Sequence, residues 1–279
     1  MRLKITLRAR RDAVYDPQYH HTLRGRVWRA FENTRFDTLH DTNHPSGVCF
    51  SNPFPPRDIK KNTTRTLLVA SFDRHRLNRI AADFGQTPEL NIGEMPFNIE
   101  AITSITPDVG TPGSCGVLET GTGIHLRIPR QFDDQVEAES AMGNQDTCFW
   151  RPNHGLELFE AQLEATLTHK HELLCSPDLP APADRPNPIF NQYELIKVFA
   201  LPTTVTQGVE QTLILSKWRL GYHVQDDHHR RHLNLALHTG IGERNTLGFG
   251  FLNQKNPSHQ SPADTTPEQP SQSQVRVGE

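Results

Sequence analysis

Apolar residues recur along this chain with the two periods that distinguish strands from helices. Every second residue of 3–9 is apolar and the residues between them are polar or basic, which predicts a strand with one core face and one basic face. In residues 17–32 apolar side chains recur at four-residue spacing behind an N-cap at Asp16, which predicts an amphipathic helix. The chain is therefore expected to open with a strand followed by a helix.

The same patterns continue to residue 105 and complete one structural unit. They predict a helix that begins at Asp73 and ends at Gly85, and three strands in residues 48–51, 66–72 and 97–105. The resulting order, β-α-β-β-α-β, is that of the ferredoxin-like arrangement, an α+β fold. We therefore expect a ferredoxin-like domain in residues 1–110.

A second unit of the same order is predicted downstream, although the two halves share no repeat at the level of sequence. Its elements are, in order, strand material in 116–128, a helix in 156–174, strands in 193–201 and 212–220, a helix in 226–238 and a strand in 247–253. They give a second ferredoxin-like domain in residues 111–254. Residues 255–279 are rich in Pro, Ser, Gln and Thr, which predicts a disordered tail.

Charge and cysteine content exclude several classes of protein. The net charge of −3 argues against an indiscriminate nucleic-acid binder, but residues 1–30 carry eight Arg or Lys against two Asp, which favours one basic face. The four cysteines have no C-x-x-C spacing, so neither a zinc site nor a disulfide framework is expected. With no apolar run long enough for a membrane span and no signal-peptide core, the chain is expected to be cytoplasmic.

A glycine-rich segment near the end of the chain carries the most specific pattern. Residues 240–250 contain two Gly-apolar-Gly units separated by five residues, and one of those five is Arg244. Successive backbone N–H groups in such a loop can form an anion-binding concavity, to which an arginine adds a full charge. The segment is neither a dinucleotide fingerprint, because Asn245 stands where the third glycine belongs, nor a P-loop, because Gly-Lys-Ser/Thr is absent.

Histidines supply the candidate acid–base groups. His40 and His44 lie in a polar segment after the first helix, whereas His20 and His21 lie on that helix beside Arg24. Histidine suits proton transfer because its unperturbed pKa is near neutrality. A second group, His228 to His232, has the i, i+4 spacing of a metal pair, but it lacks the glutamate of H-E-x-x-H and a third ligand, so no metal site is expected.

The glycine pattern, placed between a helix and a strand, resembles the signature of the RAMP superfamily. Within that superfamily the chain is similar to the CRISPR-associated endoribonucleases that cut precursor CRISPR RNA, the sixth Cas protein family. The segment Leu39-His40, followed by Cys49-Phe50-Ser51, resembles the family's catalytic histidine and its Phe-Ser strand. Tandem ferredoxin-like domains of about this length are the usual architecture, and the resemblance covers residues 1 to about 254.

The resemblance implies cleavage within each CRISPR repeat without a metal or other cofactor. The 2′-hydroxyl attacks the adjacent phosphate and leaves a cyclic phosphate and a free 5′-hydroxyl. His40 is implied as general acid or base, with His44 as its rival, and a tyrosine of the first helix, Tyr19 or Tyr15, as an assistant. The lysine that often follows the histidine is absent, so charge on phosphorus would be stabilised by cations among Arg35, Arg57, Lys60 and Lys61.

RNA contacts are expected chiefly from the second half. The candidates are the glycine loop with its arginine, the basic positions just upstream of it, and one position of the first helix: Gly240, Gly242, Arg244, Gly248, Gly250, Arg24, Arg230, Arg231 and Lys217. The implied partners are repeat RNA and mature CRISPR RNA, and whether other Cas subunits of an interference complex join them stays open. The alternative is a non-catalytic RAMP subunit that holds guide RNA with the same loop.

Overall fold

The computed structural model describes residues 1–34, 36–37, 46–129, 147–175, 188–206 and 209–255. The predicted tail, residues 255–279, lies outside the described residues except for Lys255. In the first half the elements follow the predicted order, with one addition: β1 (Arg2–Ala9), α1 (His20–Arg29), β2 (Val48–Phe50), β3 (Thr64–Ser71), α2 (Arg74–Gln86), β4 (Glu89–Ile92) and β5 (Met95–Ile105).

The first-half strands form one antiparallel sheet in the order β2-β3-β1-β5-β4. The sequence prediction missed β4, which is only four residues long and pairs with β5 through a two-residue turn at Gly93 and Glu94. Its alternation of buried Leu90 and Ile92 with exposed residues is the signal that marks it as a strand. The strand β4 is therefore the edge strand of this sheet, joined to β5 by a tight hairpin.

Both helices of the first half depart slightly from their predicted bounds. Helix α1 begins at His20 rather than at residue 17. Residues 17–19 form a turn, in which one carboxylate oxygen of Asp16 accepts the N–H of Gln18 and the other accepts that of Glu94. Asp73 does cap α2, since its side chain accepts the N–H of His75. Gly85 does not end that helix, which continues to Gln86.

The second half repeats the arrangement around a second antiparallel sheet. Its elements are β6 (Cys115–Thr120), β7 (Ile124–His125), β8 (Arg127–Pro129), β9 (Thr147–Phe149), α3 (Leu156–Leu174), β10 (Gln192–Thr206), β11 (Val209–His223), α4 (Asp227–Thr239) and β12 (Leu252–Lys255). The main path runs β10-β11-β6-β12, with β7 paired to β11, while β8 and β9 form a separate ribbon. Leaving out the short strands, both sheets place corresponding strands in the same order.

The last strand begins later than the sequence pattern predicts. We expected a strand from residue 247, but Asn245–Leu247 form a 3₁₀ turn and β12 begins at Leu252. The reason lies in the glycines, because Gly248 and Gly250 have φ of 83° and 69°, values that no extended strand contains. The one apolar residue between them, Phe249, is buried where the loop packs against the rest of the protein.

Each sheet is covered by its helices, and the two halves meet on the far side of the first sheet. One core lies between α1, α2 and the first sheet, and a second lies between α3, α4 and the second sheet. A small buried cluster joins Cys49 and Ala70 of the first sheet to Phe251 of the second half. Within the described residues, no helix is both long and apolar enough to cross a membrane.

Candidate functional site

The glycine-rich loop, residues 240–250, lies at the junction of the two halves. All four of its glycines are buried and have positive φ. A Cβ at Gly248 would overlap the ring of Phe50 in the first half, and one at Gly250 would overlap the carbonyl oxygen of Ile241. These glycines are therefore required for close packing of the loop against β2 and against itself.

Three backbone N–H groups of the loop, and that of the residue after it, donate to acceptors inside the protein. The N–H of Ile241 donates to Gly250 O (3.0 Å), that of Glu243 to His125 O (2.9 Å) and that of Gly250 to Gly123 O (2.8 Å). The N–H of Phe251 donates to the hydroxyl of Thr122, 2.8 Å away. At these positions the backbone serves the fold, so an anion bound at the loop would be held by other N–H groups and by side chains.

A buried lysine that the sequence analysis did not single out fixes the loop. Lys170 of α3 is 3% exposed, and its Nζ donates to Gly240 O and to Asn245 Oδ1, both at 2.7 Å. Asn245 in turn donates to the carbonyls of Ile241 and Phe249. Burial lowers the pKa of Lys170 to about 8. Its position three residues after buried Leu167, on the apolar stripe of α3, is the signal that marks it as an inward-facing residue.

Three arginines from three elements lie close enough for their charges to interact at the loop. Arg244 itself has a left-handed backbone, with φ of 53°, and its Nη2 donates to Gln211 Oε1 at 3.1 Å. Burial, followed by the positive charge of Arg127 and then that of Arg24, lowers the pKa of Arg244. Arg127 belongs to β8 and half-buried Arg24 to α1. We call this group, Arg24, Arg127 and Arg244, the arginine rim.

Tyr19 does not have the position of a catalytic residue. It is 1% exposed and its hydroxyl donates to Asn52 Oδ1, so the expectation that it assists proton transfer is not supported by its surroundings. Burial raises its pKa well above the usual range, which keeps the phenol neutral. Asn52 also donates to Gly121 O (3.3 Å), so the pair connects the two halves. Tyr15, the other tyrosine considered, is half-buried and packs edge-on against Tyr19.

His20, a rival for the catalytic histidine, is also part of the junction. Its Nδ1 lies 2.7 Å from Leu247 O, and its ring contacts the rings of Tyr19 (4.2 Å between centroids) and Phe249 (4.6 Å). Burial lowers its pKa to about 4, so the ring is neutral at neutral pH and can donate to that carbonyl. His21, the next residue, is half-buried.

The favoured histidine, His40, its rival His44 and the cation Arg35 lie outside the described residues. The residues that flank this segment converge on Arg76 of α2. The Arg76 guanidinium donates to Ser46 O and lies 5.3 Å from the centroid of the Phe36 ring. The two described ends of the segment are thus held beside one buried side chain of the first half.

The remaining predicted RNA contacts separate into two places. Lys217 is near the junction, because its Nζ donates to Gly121 O at 3.1 Å. Arg230 is bound to Asp108, with Nη2 2.8 Å from Oδ2, and Arg231 beside it is exposed. Both arginines precede Gly240 by nine or ten residues of helix, which is about 15 Å along the axis. Arg230 and Arg231 are therefore near the loop in sequence but are not part of the arginine rim.

Histidines of α4 and α3 form a cluster that does not resemble a metal centre. The rings of His228 and His232 are 4.4 Å apart between centroids, and His171 lies 4.8 Å from His232. Among the residues that the structure describes, no three His, Cys, Asp or Glu side chains are arranged to hold a metal ion. The cluster instead packs the two helices together.

Comparison with known proteins places this fold and junction in a family. The family described as CRISPR-associated protein Cas6, C-terminal, matches residues 118–254. A CRISPR-associated endoribonuclease Cas6 from Haloferax mediterranei is 45% identical over 255 residues, which are 91% of this chain and 93% of that protein.

Solved structures agree at the level of the fold. A Cas6-related protein from Pyrococcus furiosus superposes with a TM-score of 0.66 at 20% identity, over 92% of this chain and 99% of that chain. A RAMP protein described as binding different RNA substrates gives a TM-score of 0.61 at 18% identity, over 92% and 100% of the two chains. The α+β fold is therefore one found among RAMP proteins. The chain belongs to the Cas6 family of CRISPR-associated endoribonucleases.

Proposed function

We propose that this protein is a metal-independent endoribonuclease that cuts CRISPR precursor RNA within its repeats. The observation that carries the proposal is the 45% identity, over nearly the whole of both chains, to a CRISPR-associated endoribonuclease. The arginine rim supports it, because three guanidinium groups around one loop suit the phosphates of RNA. The expected product, CRISPR RNA, and the repeat RNA from which it comes are the partners in this proposal.

Two ferredoxin-like domains, residues 1–110 and 111–254, form the scaffold in this proposal. The support is the strand order, because β2-β3-β1-β5 and β10-β11-β6-β12 place the first, second, third and last main strands of each half at equivalent positions. Both sheets are antiparallel, as the β-α-β-β-α-β arrangement requires. The glycine loop then stands between the last helix and the last strand of the second domain, where it faces the first domain.

The chemistry we propose uses the nucleophile that RNA already carries. The 2′-oxygen forms a bond to phosphorus, the bond from phosphorus to the 5′-oxygen breaks, and a cyclic phosphate and a 5′-hydroxyl result. The proton of the 2′-hydroxyl goes to a base, and the leaving 5′-oxygen takes one from an acid. His40, or His44 in its place, supplies one of these functions. The arginine rim stabilises charge on the phosphate oxygens and orients the backbone.

A non-catalytic RNA-binding subunit is the second candidate, and one observation favours it. The chain shares its fold with a RAMP protein described as binding RNA, and the glycine loop is compatible with binding alone. The two candidates differ in one respect, which is whether a histidine of segment 38–45 transfers a proton. Cleavage therefore has to be measured directly, and binding cannot separate them.

The test is cleavage of repeat RNA in the presence of a chelator. We expect cutting that disappears when the scissile nucleotide is 2′-deoxy and when His40→Ala is introduced, while exposed His169→Ala serves as the matched control. If His40→Ala cuts at the wild-type rate and His44→Ala does not, the role passes to His44. Tight binding of repeat RNA without cleavage by the wild type would favour the non-catalytic candidate.

A further inference from the structure

One arginine of the rim is held by a carboxylate from the loop itself. Glu243 accepts two hydrogen bonds from Arg127, one from its Nε at 2.6 Å and one from its backbone N–H at 3.2 Å. The Arg127 side chain is 48% exposed, whereas that of Glu243 is 17% exposed. The guanidinium is thus accessible to a ligand, while its most direct partner is a largely buried carboxylate of the glycine loop.

The surroundings of Glu243 leave its negative charge to act on the arginine rim. It directly precedes Arg244, and its backbone N–H is tied to His125 O at 2.9 Å. His125 is completely buried, and its Nδ1 is 3.7 Å from Glu243 Oε2, too far for a hydrogen bond. Burial, followed by the charges of Arg244 and Arg127, lowers the pKa of His125 to about 3. The imidazole beneath is therefore neutral and does not offset the carboxylate.

We propose that Glu243 sets a threshold for RNA binding by holding Arg127 in an ion pair that an RNA phosphate has to displace. The proposal rests on the proposed RNA-binding function of this junction. Glu243 occupies the Nε–H of the guanidinium, so a phosphate that takes the two-pronged Nε–Nη edge competes with the carboxylate for that donor. Breaking the pair costs free energy. An RNA that makes further contacts elsewhere offsets that cost, whereas an RNA bound only through its phosphates does not.

A purely structural role for the pair predicts the opposite result. The contact between Arg127 and Glu243 links β8 to the loop, and His125 pairs with Glu243 as an isolated β-bridge. If the pair only held the loop in place, removing the carboxylate would loosen the arginine rim and weaken binding of every RNA. If the carboxylate competes with phosphate, its removal strengthens binding. The direction of the change therefore decides between the two roles.

The experiment compares Glu243→Gln with the wild type for binding of two RNAs of equal length, one with the repeat sequence and one unrelated. The amide keeps the size of the side chain and an oxygen for the Arg127 N–H. We expect both RNAs to bind about five- to twentyfold tighter to Glu243→Gln, with a steeper salt dependence, because neither then has to break the ion pair. At a protein concentration at which the wild type binds only repeat RNA, Glu243→Gln should therefore bind both. Unchanged or weakened binding of the unrelated RNA would overturn the proposal.

Two further variants make the result specific. In an Arg127→Gln background the Glu243→Gln change should no longer tighten binding, because the competed group has been removed. Glu100→Gln removes a carboxylate that pairs with Arg8 on the first sheet and reports the general effect of one lost negative charge. A gain in the Arg127→Gln background, or an equal gain with Glu100→Gln, contradicts the proposal. Cleavage of repeat RNA by the same wild-type preparation tests the proposed function separately.

Discussion

Individual buried polar side chains, more than the glycines, determine how the candidate site is held. Lys170 and Arg2 are each 3% exposed, and the acceptors that they contact are amide and carbonyl oxygens rather than carboxylates. Two of these carbonyls, those of Leu237 and Gly240, belong to the last turn of α4 and the residue after it, where the helix dipole favours positive charge. These neutral acceptors offset only part of the desolvation penalty, so burial lowers the pKa of both Arg2 and Lys170.

Replacing Lys170 by methionine should change the pH dependence of stability in a defined direction. The folded-state pKa of about 8 lies below the ordinary lysine value of 10.5. The unfolded chain therefore holds more protons between these values, and the wild type gains stability as the pH rises from about 8 to 10.5. Lys170→Met lacks this gain. Urea unfolding at pH 7.5 and pH 9.5 should show the wild type improving relative to the variant.

Exposed Lys61→Met serves as the control for loss of a lysine charge in that experiment. The same wild-type improvement measured against Lys61→Met would mean that the pH effect does not come from Lys170. At neutral pH, Lys170→Met should also weaken RNA binding, because Gly240 O and Asn245 Oδ1 lose the donor that fixes the loop.

His125 offers a second residue-scale prediction. Neither of its ring nitrogens has a hydrogen-bond partner among the described residues, and the side chain is completely buried. His125→Leu should therefore raise the free energy of unfolding at pH 7 by about 1 kcal/mol, because a buried unsatisfied imidazole is replaced by an apolar side chain of similar size.

The advantage of His125→Leu should grow in acid. A folded-state pKa of about 3, below the ordinary 6.5, means that wild-type stability is lost as the pH falls from 6.5 toward 3. At pH 5 this adds about 2 kcal/mol to the difference. Urea unfolding at pH 7 and pH 5 measures both values, with exposed His169→Leu as the control. A variant less stable than the wild type at pH 5 would contradict this account.

At the scale of elements, local sequence patterns predicted helix bounds and caps that depend on neighbouring residues. They missed contacts between residues far apart in the chain. The bounds of α3 and the Asp73 cap of α2 are confirmed, because they depend on periodicity and on a side chain two residues from the N–H that donates to it. The start of α1 was wrong by three residues, and the contact that Asp16 makes with Glu94 of the β4–β5 turn, 78 residues away in the chain, was not predicted. No local signal contains that information.

The candidate site follows the same division. The sequence indicated the glycine loop and Arg244, since both are part of one short motif. It did not indicate Arg127, which reaches the loop only because His125 pairs with Glu243 across 118 positions. Arg230 and Arg231 were assigned to the loop from their proximity in sequence, but a straight helix carries them away from it. Tertiary contacts, rather than spacing, select the members of the arginine rim.

The glycines of the loop give an element-scale prediction with an internal control. Gly250→Ala places a Cβ against the Ile241 carbonyl at a φ of 69°, so we expect a loss of about 2–4 kcal/mol in stability. Gly25→Ala lies in α1 with no atom within 4 Å of the new Cβ and should gain about 0.5–1 kcal/mol. Thermal and urea unfolding measure both, and equal effects would show that the loop is not packed as described.

At the scale of the whole molecule, the site depends on how the two halves are joined. The glycine loop is covered by β2 of the first half, His20 of α1 contacts Leu247 and Phe249, and Asn52 reaches Gly121. The arginine rim also draws on both halves, with Arg24 from the first and Arg127 and Arg244 from the second. A change in the orientation of the halves would therefore separate the groups that we propose bind RNA.

Arg2 is the side chain that best tests this dependence. It belongs to β1 of the first half, but its Nη2 donates to Leu237 O (2.7 Å) and Leu252 O (2.6 Å) of the second half, and its guanidinium lies 4.5 Å from the centroid of the Phe251 ring. Arg2→Met leaves two buried carbonyls without this donor while keeping most of the apolar volume. We expect a loss of about 2–5 kcal/mol in the free energy of unfolding.

Arg8→Met is the matched control, because Arg8 lies on the same strand but pairs with Glu100 on the exposed face, where a salt bridge contributes little. Arg2→Met should also weaken repeat-RNA binding and slow cleavage at temperatures where the variant is still folded. The reason is that β1 would no longer be fixed to α4 and β12, the two elements on either side of the loop. Arg8→Met should do neither to a comparable extent. If Arg2→Met lost stability while RNA affinity and cleavage rate stayed at wild-type values, the junction would be a folding contact only, and the arginine rim would have to act from the second half alone.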